Sequence, residues 1–321
     1  MKNPMFRALF RFGLGYLLLG ILLANPVLGQ EDEDEERKLP EPEDITLESR
    51  DGVTIAGTYW EPKKPGKNTV PIILLHGWEG KRHEYDALGR VLQERDEHAV
   101  VSIDLRGHGG SKIQRFGEKV REIDPERMIK RDFEAMIYDV HAAKKFLVEK
   151  HNEGKCNIEL LTIVGADMGA IAAMRYATYD WTRPVVAAKV FKQGQDVKGL
   201  VLLSPPKTFK GVTYDVALKQ PTVRGLVSTM IIVGAKDRSA YTDAKSLHSV
   251  LSRFHVKVPG DATPAEKREK MDLFLIEPQT TLQGTSLLSR ALKTDLLIKE
   301  FIDARIVANA DQVPWMERQD R

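Results

Sequence analysis

The sequence predicts an α/β fold: a single domain on a doubly wound, mostly parallel sheet, with an antiparallel hairpin at its N-terminal end. Three observations predict it. Two short alternating segments meet at Asp51-Gly52, several later segments are almost continuously apolar, and helical periodicity recurs between them.

Residues 45–49 and 53–60 alternate as half-buried strands do, and Asp51-Gly52 between them tolerates the positive φ of a tight turn. Val70–Leu75 is apolar throughout, as a strand covered on both faces must be, and runs into His76-Gly77-Trp78-Glu79-Gly80. A short helix over 85–93, a strand over 99–103 and a long amphipathic helix over 128–148 follow. In that helix Phe133, Ile137, Val140, His141 and Leu147 fall near helical spacing. The pattern continues with a strand over 158–164 and a helix over 169–179. Strands at Gly199–Leu203, 229–233 and Leu273–Ile276 and helices over 243–253 and 285–304 complete it. Residues 182–197 and 258–270 lack clear periodicity and read as surface insertions, either one able to serve as a short lid.

At 321 residues and 42% hydrophobic content, the chain can bury a sizeable core. Lys and Arg total 48 against 46 acids, a net charge of +2, which provides no electrostatic case for a nucleic-acid partner. Cys156 is the only cysteine, so no intramolecular disulfide can form. At the N-terminus, Lys2, Arg7 and Arg11 precede an apolar run over 14–24 and the small-residue signature Val27-Leu28-Gly29. This is the pattern of a secretory signal over 1–29, and it predicts an exported protein, periplasmic or secreted, with no membrane span after cleavage. The alternative is an uncleaved anchor, against which the apolar run is shorter than the roughly 20 residues of a spanning helix. Six consecutive acids at 31–36, then Pro40 and Pro42, predict a solvated tether over 30–43. The folded domain is then expected over 44–304, followed by a tail over 305–321 with Trp315 as its candidate anchor.

Five landmarks carry chemistry: Asp51-Gly52, Leu75-His76-Gly77, Asp104-Leu105-Arg106-Gly107-His108-Gly109, Gly165-Ala166-Asp167-Met168-Gly169 and Gly234-Ala235-Lys236-Asp237. In this order they resemble the α/β-hydrolase superfamily, most closely its lidless serine-peptidase and esterase-like branch, over roughly 44–302. The resemblance makes 165–169 a nucleophile elbow, in which Gly165 and Gly169 admit a sharp strand-to-helix turn that lifts residue 167 above the sheet. It also implies an oxyanion hole from the backbone N–H groups of Met168 and Trp78, and a triad acid at Asp237. Asp237 is equally placed to cap a following helix.

Two triad positions depart from the serine-hydrolase pattern. The elbow carries Asp167 where a serine would stand, and Gln283 falls where the base histidine would be. An amide has no nitrogen able to accept a proton near neutral pH, so Gln283 cannot act as a general base. Dehalogenases and epoxide hydrolases of the superfamily do use an elbow aspartate, but with a histidine for the second step. Met168 also stands where a dehalogenase has its halide-holding tryptophan, and 203–227 is too short for an epoxide hydrolase's cap. His76 and His108 fall in loops of structural use, and the other six histidines lie away from the base loop.

The resulting expectation is a pseudoenzyme: Asp167, Asp237 and Gln283 at triad positions, with the cleft kept as a binding or scaffold module for a small molecule or peptide. The alternative is an active ester or amide hydrolase, its nucleophile Asp167. If Asp167 and Asp237 face one cleft they repel, and a proton or a cation must relieve them. No cofactor is expected, and no residue spacing indicates a metal.

Overall fold

The computed structural model describes residues 39–94, 98–183, 185–186 and 191–318. The proposed signal over 1–29 and most of the acidic tether lie outside them. Eight strands form one sheet: β1 (Glu43–Glu48), β2 (Thr54–Trp60), β3 (Val70–Leu75), β4 (His98–Ile103), β5 (Thr162–Ala166), β6 (Gly199–Leu203), β7 (Ser228–Ile232) and β8 (Leu273–Ile276). Their spatial order is β1-β2-β4-β3-β5-β6-β7-β8. β1 and β2 are antiparallel, β2 is antiparallel to β4, and the remaining neighbours are parallel.

Five helices of eight residues or more cover it: α1 (Asp86–Gln93), α2 (Met136–Asn152), α3 (Met168–Trp181), α4 (Arg238–Leu251) and α5 (Thr294–Arg305). Because successive side chains of a strand point to opposite faces, β3 feeds two cores. Ile73 and Leu75 join one with Val140, Ala143 and Leu147 of α2, Ile171 of α3 and Leu247 of α4. Val70, Ile72 and Leu74 join the other with Leu88 and Leu92 of α1 and Ile298, Phe301 and Ile302 of α5. The predicted doubly wound sheet is therefore present. Each fully buried Leu or Ile contributes about 1.5–3 kcal/mol of transfer free energy, so β3 is a major anchor.

Several predicted elements are corrected. The helix over 128–148 breaks at Ala135 (φ −75°, ψ −8°): a short helix Lys130–Glu134 precedes α2, and Tyr138 N–H bonds to the Ala135 carbonyl. The strand over 158–164 opens as a 3-10 turn, Ile158–Leu160, capped by Asn157, so β5 begins at Thr162. The helix over 243–253 starts earlier, at Arg238, and the one over 285–304 divides into a 3-10 turn, Gly284–Leu288, and α5. A hairpin pairing Ile113–Phe116 with Lys119–Glu122 was not predicted. The tail docks on the body: Trp315 Nε1 donates to the His151 carbonyl at 3.1 Å, and the Met316 carbonyl meets His151 Nε2 at 2.6 Å. No helix among the described residues is long and apolar enough to cross a membrane.

One polar device sets the loops above the sheet. Buried Arg106 pairs with Asp139 of α2 at 2.6 Å and with Asp51 of the first turn at 2.7 Å. Asp104 accepts from Arg82 Nη1 at 2.6 Å and from the N–H groups of Arg82 and Gly110. The landmark over 104–109 is thus a clamp between hairpin, helix and the loop after β3.

Candidate active site

At the end of β5 the backbone turns at Asp167 with φ 46° and ψ −115°, and α3 begins at Met168. Such a conformation costs a non-glycine residue on the order of 1–3 kcal/mol, so the surroundings must impose it. They do. Asp167 N–H donates to the Leu203 carbonyl at 3.0 Å and its own carbonyl accepts from Ala170 N–H at 2.9 Å. A Cβ on Gly165 would stand 2.4 Å from the Gly169 carbonyl oxygen, and one on Gly169 would stand 2.5 Å from the carbonyl oxygens of Leu75 and His76. Strand, turn and helix start are packed backbone against backbone, as the two glycines led us to expect. Met168 is the first residue of α3, in the turn whose N–H groups a helix cannot satisfy internally, and its side chain is buried.

The Asp167 carboxyl lies between Gly77 and Gly284: a Cβ on either would come within 2.8 Å or 2.5 Å of Oδ2. Among the described residues no hydrogen bond or ion pair reaches it. Burial, then the nearby Glu84 carboxylate, raises its pKa to about 6. Glu84 itself accepts from Thr285 Oγ1 at 2.6 Å and from Lys81 N–H at 3.3 Å. The carboxylate acting on Asp167 is therefore Glu84, which sequence reasoning missed; Asp237 is not the source. Its sequence signal was local, a residue placed three after Lys81 to close a helical turn.

Asp237 follows β7 and caps α4, its Oδ1 accepting from Ser239 and Ala240 N–H at 3.0 and 3.1 Å. Gln283 follows β8. Its Oε1 accepts from Ser204 Oγ at 2.5 Å and Gly234 N–H at 3.3 Å, while Nε2 donates to the Gly234 carbonyl at 3.0 Å. Ser204 Oγ in turn accepts from Gly284 N–H at 3.0 Å. The amide thus ties the last loop to the ends of β6 and β7. No hydrogen bond joins Asp167, Asp237 and Gln283 to one another among the described residues.

Each of the eight histidines lies among the described residues, and among these no hydrogen bond or ion pair joins one to the Asp167 carboxyl. His76 is nearest in sequence to the site. Its Nε2 accepts from Leu105 N–H at 3.0 Å, so its proton sits on Nδ1 and is donated to the Gly77 carbonyl at 2.6 Å. Burial lowers its pKa to about 4, keeping it neutral. His108 Nδ1 meets the Arg106 carbonyl, His141 the Tyr176 hydroxyl, and His151 the carbonyls of Cys156 and Met316. His98 faces Asp303 at 3.6 Å, His255 faces Asp272 at 3.0 Å and His83 faces Asp86 at 3.4 Å, while His248 lies on α4.

Beside Met168 the wall is aromatic. The Trp78 ring packs against His108, Phe133 and Phe209 at 5.1, 5.9 and 5.4 Å between centroids, and Lys210 Nζ stands 5.1 Å from its centroid. Phe133, Phe209, Met136, Ile171 and Met168 enclose a cavity of about 10 Å³, room for one water at most.

The model of the alpha/beta hydrolase family matches residues 72–315. No curated protein matches the chain. Among solved structures, the chain is similar to the Pyrococcus furiosus esterase Pf2001, at 15% identity and TM-score 0.54, over 85% of this chain and 95% of that one. It is similar to a dienelactone hydrolase from Anabaena variabilis at 15% identity and TM-score 0.53, over 84% and 99%. A Pyrococcus horikoshii acylaminoacyl peptidase aligns at 14% identity and TM-score 0.57, over 89% of this chain and 44% of that one. At these identities the structures speak for the fold alone. With a family match spanning most of the chain and an eight-stranded sheet wound around a strained elbow, this protein belongs to the alpha/beta hydrolase family.

Proposed function

We propose that this chain is a noncatalytic, exported member of its family, whose cleft serves as a binding or scaffold module for a small molecule or peptide. One observation carries the reading: among the described residues the elbow carboxyl has no hydrogen-bond or ion-pair partner, and the histidines are engaged elsewhere or remote from it. Hydrolysis through an aspartyl ester needs a base to activate the releasing water, and Gln283, held by Ser204 and Gly234, supplies none. Export rests on the N-terminal sequence, and N-terminal sequencing of the mature protein tests it.

A second reading, an active hydrolase with Asp167 as nucleophile, draws support from the elbow backbone, which keeps its strained φ of 46°. A panel of p-nitrophenyl esters, assayed with the purified protein and with Asp167→Ala, separates the two. We expect both proteins to stay at the rate of buffer. Turnover by the parent that disappears in Asp167→Ala would establish the second reading instead.

A further inference from the structure

At the other end of the sheet, where strands begin, the residues leading into β6 adjoin a buried charge cluster. Lys144 pairs with Asp180 and Asp196, Lys192 with Glu159 and Asp196, and Arg318 with Glu159 and Asp196. Three cations meet three carboxylates, so the cluster's formal charge is zero. Lys198, at its margin, is a fourth cationic side chain. Among the described residues no carboxylate lies within ion-pair distance of it. Its Nζ donates to the Gln195 carbonyl at 2.8 Å and stands 4.6 Å from the centroid of the Trp181 ring.

Charged groups on every side of Lys198 can be named. Lys192 repels its ammonium, while Asp196, Glu159 and Asp180 attract it, and Arg305 lies on the wall of the adjoining cavity. Those carboxylates already face the cluster's own cations. Burial, then Lys192, lowers the Lys198 pKa to about 8, so that a useful fraction of the amine is neutral under ordinary conditions. The side chain lines a cavity of about 200 Å³. Leu160, Leu226, Ile306 and Val313 provide apolar wall; Ser228 and Asn309 provide polar groups. At the ~30 Å³ that a water occupies in the liquid, this is room for roughly six or seven non-hydrogen atoms.

We propose that this cavity is a second site, separate from the elbow, in which Lys198 captures a small apolar aldehyde as a Schiff base. The Nζ lone pair attacks the carbonyl carbon, forming the N–C bond while the C=O π pair moves onto oxygen. A proton passes from nitrogen to that oxygen, giving a carbinolamine. The hydroxyl takes a proton from solvent and departs as water while the nitrogen pair closes to C=N; the resulting iminium returns a proton to solvent to give the imine, and nothing is oxidised or reduced. Ser228 and Asn309, with Arg305, are groups on the wall able to donate a hydrogen bond to the carbonyl oxygen.

The test uses the full chain with hexanal as the probe and cyanoborohydride to trap imines, followed by peptide mapping of alkylated lysines between pH 6 and 10. Exposed Lys64 and Lys257 are internal standards. At pH 7 the neutral fraction of an amine with a pKa near 8 exceeds that of an ordinary lysine on the order of 10²-fold. Lys198 should therefore be labelled faster than the standards by up to that factor, with a midpoint near pH 8 and a rate that saturates with hexanal. Labelling no faster than Lys64 and Lys257 would overturn the proposal, as would a midpoint near the ordinary lysine value. A rate linear in hexanal up to its solubility would mark a reactive amine without a pocket, and would overturn the site.

Discussion

The elbow and the charge cluster both bury carboxylates, with opposite results. At Asp196 burial pushes the pKa up, yet Lys144, Arg318 and Lys192 outweigh it and hold the group below the usual carboxylate range. At Asp167 burial meets no cation, and Glu84 adds to it. The sign of the shift follows from partners, since both groups are withdrawn from water. A partnered buried charge holds a fold together, whereas an unpartnered one on strained backbone has no stabilising account and marks a place kept for something else.

Three substitutions would break or sharpen this contrast. Lys144→Met leaves Asp180 and Asp196 buried without their shared cation, and should lower stability by about 3–5 kcal/mol in urea unfolding. A loss under about 1 kcal/mol would mean that the cluster is not the structural half of the comparison. Asp167→Asn should do the reverse. An acid raised from 3.8 to about 6 on folding disfavours the native state once it must ionise. Its stability is intact below the unfolded value and is lost as pH rises through about 6. We expect a gain on the order of 1–2 kcal/mol at pH 8, discounted for partial exposure, and almost none at pH 3.5. An equal effect at both pH values would refute the electrostatic explanation. Gln283→Ala, which deprives Ser204 and Gly234 of their partner, should cost about 1 kcal/mol with little pH dependence in the same assay.

What the sequence made legible follows the same division. Strands covered on both faces announce themselves as apolar runs, and β3 and β6 stand where predicted. The elbow was legible because its geometry requires Gly165 and Gly169, each two residues from Asp167. The hairpin over 113–122 was not, since Lys119–Glu122 is wholly exposed and has no alternation to detect. Nor was the cluster: Lys144, Glu159, Asp180, Asp196 and Arg318 are spread over much of the chain, and each taken alone resembles a solvated surface charge. Glu84 went unseen for a related reason, because its approach to Asp167 depends on how the loop after β3 folds over the turn.

The bond from His76 to the Gly77 carbonyl gives this corner a proton inventory of its own. In the unfolded chain near pH 5 an imidazole with a value of 6.5 carries a proton and an aspartate with a value of 3.8 does not. In the folded chain His76, at about 4, has given its proton up, and Asp167, at about 6, has taken one. The two exchanges offset each other, so folding of this corner releases no net proton across most of the interval from pH 4 to 6. Acid that relieves the carboxyl burdens the imidazole one peptide bond from the Gly77 it abuts. The stability that this corner regains as acid protonates the Asp167 carboxyl is thereby offset by the cost of keeping the neighbouring His76 ring neutral.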